Sequence, residues 1–383
     1  MGTAVNRLLA GGPATRLTGL TDREQLIAGV RAAGLLGRGG GWFPTADKLA
    51  AVVGGRRPVV LVNGCEGEPA SLKDRTLLTV APHLVLDGAV IVGHAVAAHE
   101  VVVCVHQGDP VYGVVNAALA ARGDDPVRMR LIAVPGRYVA SEESALVNLL
   151  NTGDAVPTSK PPRPVERGVR GRPTLVDNVE TLAHLALIAR HGADWFRSVG
   201  DPEVPGTMLV TVAGAGVREV STGVSVGSLV GPDTGGAVLV GGYGGVWLPL
   251  PAMAGLALTP GAFRAAGTSL GVPMLVPLAP RACGLVETAR LLAYLAGESA
   301  AQCGPCMFGL PAIAADFADL VAGRADAVRR LRRRLPVISG RGACAHPDGA
   351  VRLASSALTV FEADVQAHLC AAPCLATGLV TSR

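Results

Sequence analysis

Three short runs of β-branched residues set the limits on how this chain can fold: PVVLVNG at 58–64, HEVVVCVH at 99–106 and RMRLIAVP at 128–135. Each is continuous rather than alternating in polarity and too short for a core-spanning helix. That is the pattern of a strand buried on both faces. Residues 82–98 and 110–122, which separate the runs, carry helical periodicity instead. Strands alternating with helices predict an α/β fold built on a parallel sheet, of the Rossmann-like kind. Open sheets of this type bind ligands beyond the carboxyl ends of their strands, so the residues just after each run become the candidates for chemistry.

The rest of the chain divides by pattern. Residues 22–34 read as an amphipathic helix, followed by a glycine-rich loop at 37–45 and a helical stretch at 46–53. From Gly206 the sequence becomes strand-rich, and from Cys283 it is helical with few strand signals. Three domains are therefore expected, at 1–205, 206–282 and 283–383. Residues 234–263 lack any charge, but eight Gly and three Pro in that stretch would leave unpaired backbone groups in lipid, so it reads as buried loop and strand. A net charge of +4 over 383 residues is too mild to argue for nucleic acid. With no targeting or spanning pattern recognised, the expected location is cytoplasmic.

One glycine-rich loop joins two helical segments, and further polar clusters follow the predicted strands. Closely spaced Gly37, Gly39, Gly40 and Gly41 let backbone N–H groups approach an anion, with Arg38 and Lys48 as further charges. Trp42 stands where a dinucleotide fingerprint would have its third glycine, so that motif fails. Asn63, Cys65, Glu66, Glu68 and the trio Lys73-Asp74-Arg75 follow the first strand. Asn63 offers donor and acceptor to a flavin, and the two Glu could accept from hydroxyls. A solvated charged loop is the alternative reading. Tyr138 with Glu142-Glu143 follows the third strand, Lys160 precedes two prolines, and Asp177 or Asn178 is a plausible helix cap ahead of Thr181.

Five of the eight cysteines lie beyond residue 300: Cys303, Cys306, Cys344, Cys370 and Cys374. A C-x-x-C at 303–306 with further late cysteines suits thiolate ligation of iron–sulfur or zinc. A redox pair among small buried residues is the competing reading. Cys104 reads as core, Cys283 as ambiguous and His346 as a surface histidine. The arginines 329, 330, 332, 333 and 334 read either as a solvated helix face or as a docking face for an acidic protein.

Taken in order, these segments resemble the NADH- and FMN-binding flavoprotein subunit of bacterial complex I, with relatives in NAD-linked hydrogenases and formate dehydrogenases. The resemblance covers roughly residues 20 to 375. It rests on GRGGGWFPT, NGCEGEPASLKDR, GRYVASEESAL, SKPPRP, GRPTLVDNVETLA and ESAAQCGPC. It implies an α/β flavin domain, a ubiquitin-like β-grasp module and a helical bundle holding a 4Fe-4S cluster. It further implies that Gly37, Arg38, Gly39, Gly40 and Lys48 cradle the FMN phosphate and ribityl chain. Asn63, Glu66, Tyr138, Glu142, Asp177, Asn178 and Thr181 would line the flavin. Phe43, Glu68, Glu143 and Lys160 would face the nicotinamide nucleotide. Hydride transfer would belong to FMN, with no catalytic side chain.

The departures are specific. Trp42 replaces a glycine, Cys65 an Asp, Ser141 a glycine and Asp177 an Asn. Arg163 replaces an aromatic, and could stack on the adenine or pair with the 2′-phosphate of NADPH. The family's first cluster cysteine is Ala300 here, which leaves Cys303, Cys306 and Cys344, with Cys374 expected as the fourth ligand ahead of Cys370 or Cys283. The expected activity is oxidation of NADH or NADPH, with electrons passing to a ferredoxin-like or 2Fe-2S protein. The chain itself is expected not to span a membrane, although it could sit on a membrane complex. A nicotinamide-independent relay and a non-catalytic scaffold are the alternatives.

Overall fold

The structure, a computed structural model, describes residues 6–10, 22–231 and 234–370. The chain forms two compact units. The first comprises Met1–Thr211 with Gly216–Val224, and the second Val212–Ala215 with Ser225–Arg383. The strand-rich stretch expected at 206–282 is divided between them.

In the first unit the elements run α1 (Arg23–Ala33), α2 (Thr45–Val52), β1 (Val59–Asn63), α3 (Lys73–Val80), α4 (Pro82–Ala95), β2 (Glu100–His106), α5 (Val111–Ala120), β3 (Met129–Val134), α6 (Glu143–Thr152), β4 (Thr174–Asn178), α7 (Val179–His191), α8 (Ala193–Arg197), β5 (Thr207–Val212) and β6 (Gly216–Ser221). The four strands β3-β2-β1-β4 form a parallel sheet in that order. The three expected strands appear within a residue or so of their predicted ends. β4 is a strand the sequence reading missed. Its TLVDN run is short, and its polar end reads as a helix cap. Asn178 plays both parts, since it ends β4 and its side chain accepts the Glu180 N–H at 3.0 Å to cap α7.

The valine-rich strands have both faces covered, as parallel sheets require. Val60, Val62, Val101, Val103 and Leu175 enter one apolar cluster with α4 and α7, while Val59, Leu61, Val102, Cys104 and Val176 enter another with α6. Close helix packing depends on Gly88 of α4, where a Cβ would sit 2.0 Å from the Leu182 carbonyl oxygen of α7.

The second unit runs α9 (Val226–Leu229), β7 (Ala237–Gly241), β8 (Val246–Pro249), α10 (Pro260–Ala265), β9 (Val272–Pro277), α11 (Gly284–Gly297), α12 (Leu310–Val321), α13 (Ala327–Ile338), α14 (His346–Val360) and α15 (Glu362–Cys370). β7 pairs antiparallel with both β8 and β9. The uncharged stretch supplies β7 and β8, whose residues are mostly buried. Phe361 separates α14 from α15, and its ring packs edge-on against Trp247 at 5.2 Å. No single helix among the described residues is long and apolar enough to cross a membrane.

Candidate functional site

The sheet order places a switch point between β1 and β4. β1 leads to β2 on one side, while β4 arrives on the other, so the crevice at their carboxyl ends is open to a ligand. Asn63 and Asn178 are register partners at that edge. The glycine loop comes against it. An antiparallel bridge of Leu36 with Pro44 closes its feet, and Gly37 N–H donates to the Phe43 carbonyl at 2.9 Å. Arg38 N–H donates to Thr181 Oγ1 at 2.9 Å. A Cβ on Gly39 would stand 3.3 Å from the Asn178 Cβ, so the loop backbone lies almost directly on the strand end. Phe43 projects from the loop 49% exposed.

Two of the side chains in this loop turn inward. Trp42 is buried with a φ of 52°, and the Arg38 guanidinium carbon lies 5.3 Å from the centre of its ring. Arg38 is itself buried and donates to the Pro205 carbonyl at 3.0 Å. Burial pulls its pKa down to about 10, against the attraction of Glu180. What this loop offers an anion is therefore its glycine backbone rather than the Arg38 side chain.

The segment after β1 folds back on the turn before α6. Asn63 Nδ2 donates to the Ser141 carbonyl at 2.9 Å, and Tyr138 OH donates to Glu68 Oε1 at 2.6 Å. A Cβ on Gly67 would clash with Ser141 Oγ at 2.1 Å, so this approach requires glycine. Cys65 is buried beside Asn63, and burial pushes its thiol well above the ordinary range, which keeps it neutral.

The acids divide by task. Glu142 caps α6, accepting Ser144 N–H at 2.8 Å, and its other oxygen accepts from Lys160 Nζ at 2.7 Å. Glu143 lies 2.6 Å from Lys160 and 3.8 Å from Lys48. Burial works against the Lys160 charge, but Glu142 and Glu143 outweigh it and hold its pKa up. Lys48 donates to the Val176 carbonyl and lies 3.4 Å from Asp177 Oδ1. Asp177 is buried, its Oδ2 lacks a hydrogen-bond partner, and burial raises its pKa. Glu66 accepts from Ser71 Oγ at 2.5 Å and from the N–H groups of Asp74 and Arg75 at 3.2 Å, so it holds the start of α3.

Beneath this edge lies a buried charge cluster that sequence reasoning did not assign to the site. Lys73 Nζ donates to Asp74 at 2.6 Å, to Glu180 at 3.0 Å and to Asn178 Oδ1 at 3.2 Å. Asn178 Nδ2 donates to Asp74 at 2.8 Å. Burial disfavours the Glu180 charge, but Lys73 and then His184 overcome it and bring its pKa to about 2. Lys73 and Asp74 are thus interior, not part of a solvated loop. The available signal was their place at the head of a helix amid Leu72, Leu77 and Leu78.

In the second unit, Cys303 and Cys344 both lie close enough to Cys306 to raise its thiol electrostatically. Burial is the main cause of that rise, to about 12. Three thiols suit an iron–sulfur cluster in donor chemistry but fall one ligand short. Among the described residues no group of three or more His, Cys, Asp or Glu has converged on a metal position. Cys374 lies outside the described residues. Cys283 is buried with its sulfur 3.5 Å from His368 Nε2, and Cys370 is exposed at the end of α15. His346, expected at the surface, is buried, with Nε2 2.8 Å from the Leu295 carbonyl.

Comparison with known proteins agrees with this division. Residues 30–187 match the Nuo51 FMN-binding domain, and residues 287–368 match the NADH-ubiquinone oxidoreductase-F iron-sulfur binding region. The chain is 30% identical to the NADH-quinone oxidoreductase F subunit of Streptomyces coelicolor over 385 residues, covering 92% of this chain and 84% of that one. It is 35% identical over 250 residues to the NAD-reducing hydrogenase HoxS subunit alpha of Cupriavidus necator, covering 59% of this chain and 41% of that one. A crystal structure of an air-oxidized NAD+-reducing [NiFe]-hydrogenase superposes with a TM-score of 0.87 at 28% identity, covering 94% of this chain and 66% of that one. By motif order, sheet topology and similarity along nearly its whole length, the chain belongs to the family of NADH-quinone oxidoreductase F subunits, with an FMN-binding domain followed by an iron–sulfur binding region.

Proposed function

We propose that this chain oxidises NADH as an FMN and 4Fe-4S subunit, a diaphorase module, and delivers the electrons to a ferredoxin-like partner. The observation that carries this reading is the convergence of the glycine loop, Asn63, Asn178 and the paired acids on the carboxyl edge between β1 and β4. Bound FMN would supply hydride acceptance and one-electron release, and the cluster one-electron carriage. The N–H groups of Gly39, Gly40 and Gly41 would face the FMN phosphate, with Lys48 as a further cation. Asn63 and the β4 end would fix the flavin edge. Exposed Phe43 would stack on a nucleotide ring, with the Tyr138–Glu68 pair ordering its polar side. Lys160 would hold the 153–163 strap on Glu142 and Glu143, narrowing access of water.

In this reading Cys303, Cys306 and Cys344 hold the cluster, with Cys374 as the fourth ligand. Residues 206–282 form the β-grasp module and 283–383 the helical bundle, and the chain works in the cytoplasm, alone or on a membrane complex. One observation favours NADPH as a second donor. Arg163 is exposed, and its backbone N–H donates to Glu166 at 2.9 Å while its guanidinium has no ion-pair partner among the described residues.

An anaerobic visible spectrum, taken before and after NADH and then NADPH, tests the proposal. Flavin and iron–sulfur bands bleached by NADH are expected. Bands that persist with both nucleotides would instead favour the nicotinamide-independent relay. Protein without either band after anaerobic preparation would favour the scaffold.

A further inference from the structure

The amino ends of the parallel strands carry a second concentration of charge, away from the site at their carboxyl ends. β1, β2 and β4 begin in step, with Val59 opposite both Glu100 and Thr174. The residues ahead of them are tied together too. His99 N–H donates to the Pro58 carbonyl at 2.7 Å, and Val59 N–H donates to the Pro173 carbonyl at 3.0 Å. This alignment brings Arg57, His99 and Arg172 to one edge. The five residues of β1, at roughly 3.3 Å each, put about 16 Å between that edge and the carboxyl ends.

Three guanidinium groups gather around one ring. Arg57 Nη2 lies 2.7 Å from His99 Nδ1. Desolvation lowers the His99 pKa, and Arg57, Arg172 and Arg170 all lie close enough to lower it further. Glu100 opposes them, but Arg130 already engages it at 2.8 Å. The cations are delivered by fixed backbone. Arg57 and Arg170 have φ of 52° and 51°, in the left-handed region that favours glycine, yet both are arginine. Arg170 N–H donates to Asn151 Oδ1 at 2.7 Å, which ties its turn to α6. A Cβ on Gly55 would meet Pro173 Cγ at 2.7 Å, so the turn before Arg57 lies directly on the segment that carries Arg172. Arg57 and Arg170 are exposed. Arg172 is half-buried, and its Nη1 is shut from water without a hydrogen-bond partner. Among the described residues, no carboxylate pairs with any of the three arginines. A buried N–H with no acceptor costs free energy, and like charges around one ring repel, so an anion placed among them relieves both.

We propose that Arg57, His99, Arg170 and Arg172 form an anion site at the amino edge of the sheet, and that its ligand presents a phosphate group. Three guanidinium forks exceed what the two oxygens of a carboxylate can accept, and they suit a tetrahedral dianion. Binding is reversible and breaks no bond. The proposal goes beyond the functional reading above and does not rest on it.

Titration calorimetry of the full-length holoprotein with inorganic phosphate, at neutral pH and low ionic strength, tests the site. Saturable binding is expected. The Arg57→Gly, Arg170→Gly double variant should raise Kd at least about tenfold. Glycine suits both left-handed positions, so the unfolding midpoint of that variant should stay the same or rise, which separates loss of the site from loss of the fold. Arg172→Gln should also raise Kd at least about tenfold. Arg56→Gln removes a neighbouring exposed charge that is not among those acting on His99, and should change Kd less than about twofold. Vesicles of phosphatidic acid in phosphatidylcholine distinguish the source of the phosphate. Phosphate binding without vesicle binding assigns a soluble phosphorylated ligand, and vesicle binding lost in the same variants assigns a lipid headgroup at this site. Wild-type protein that binds neither probe overturns the proposal. So does binding that the double variant and Arg172→Gln leave as it is, or an Arg56→Gln effect as large as theirs.

Discussion

Replacing Lys73 by Met keeps much of the side-chain volume but removes an ammonium held 2.6 Å from Asp74 and 3.0 Å from Glu180, all three buried. Two interior carboxylates then lose their main cation. Breaking a buried pair from one side costs about 3–5 kcal/mol, because the remaining charge stays desolvated. For a unit of roughly 200 residues that lowers the unfolding midpoint by roughly 7–12 °C. Circular dichroism of the full chain would record this in the transition of the first unit. Adding Glu180→Gln to Lys73→Met should recover part of the loss, since one stranded charge disappears. The pH dependence has a definite sign. Glu180 is held at about 2, so its stabilisation is present above the ordinary carboxylate range and is lost as pH falls toward 2. Without Lys73 its pKa rises, so the gap between variant and wild type should narrow below pH ~4. A Lys73→Met midpoint within roughly 2 °C of wild type, or a double variant no better than the single one, would refute the account.

Three further outcomes follow from the site. Asp177→Asn should stabilise the protein near neutral pH, because burial holds the Asp177 carboxylate above its ordinary pKa. The gain should shrink to nothing below pH ~4, where wild type is protonated in both states, and denaturation across pH would show it. Gly67→Ala should displace the turn that carries Tyr138, since its Cβ would meet Ser141 Oγ at 2.1 Å and the Tyr138 carbonyl at 2.8 Å. Bound flavin per chain should fall at least about tenfold, with about 1–3 kcal/mol lost in stability; full flavin retention would contradict the close approach. Cys374→Ser should lower iron content and change the EPR signal, whereas Cys283→Ser, whose thiol lies against His368, should leave both as they are. Unchanged iron and EPR in Cys374→Ser would end its assignment as a ligand.

The features legible in the sequence are those with short-range causes. Buried parallel strands need unbroken Val-rich runs, so β1, β2 and β3 stand out, whereas β4 ends in Asp177-Asn178 and looks like a cap. The glycine loop and the C-x-x-C are spacings within a few residues, and they keep their meaning without any partner. The break between α14 and α15 has no such local mark: it falls at Phe361, whose ring meets Trp247 across 114 positions.

Local sequence therefore establishes the α/β start, a glycine loop between two helical segments, the late thiols and a basic helix near them. Which charges are interior is settled by long-range packing. Lys73 and Glu180 are 107 residues apart, and nothing local says that they meet. Nor does anything local say that Arg38 and Trp42 turn inward from the loop, or that two of the five arginines of α13 are bound to acids of α12 and its flank while three are left outward. Propensity and periodicity act through neighbours in the chain, but the protonation state and pairing of a charge depend on which distant segments exclude water around it.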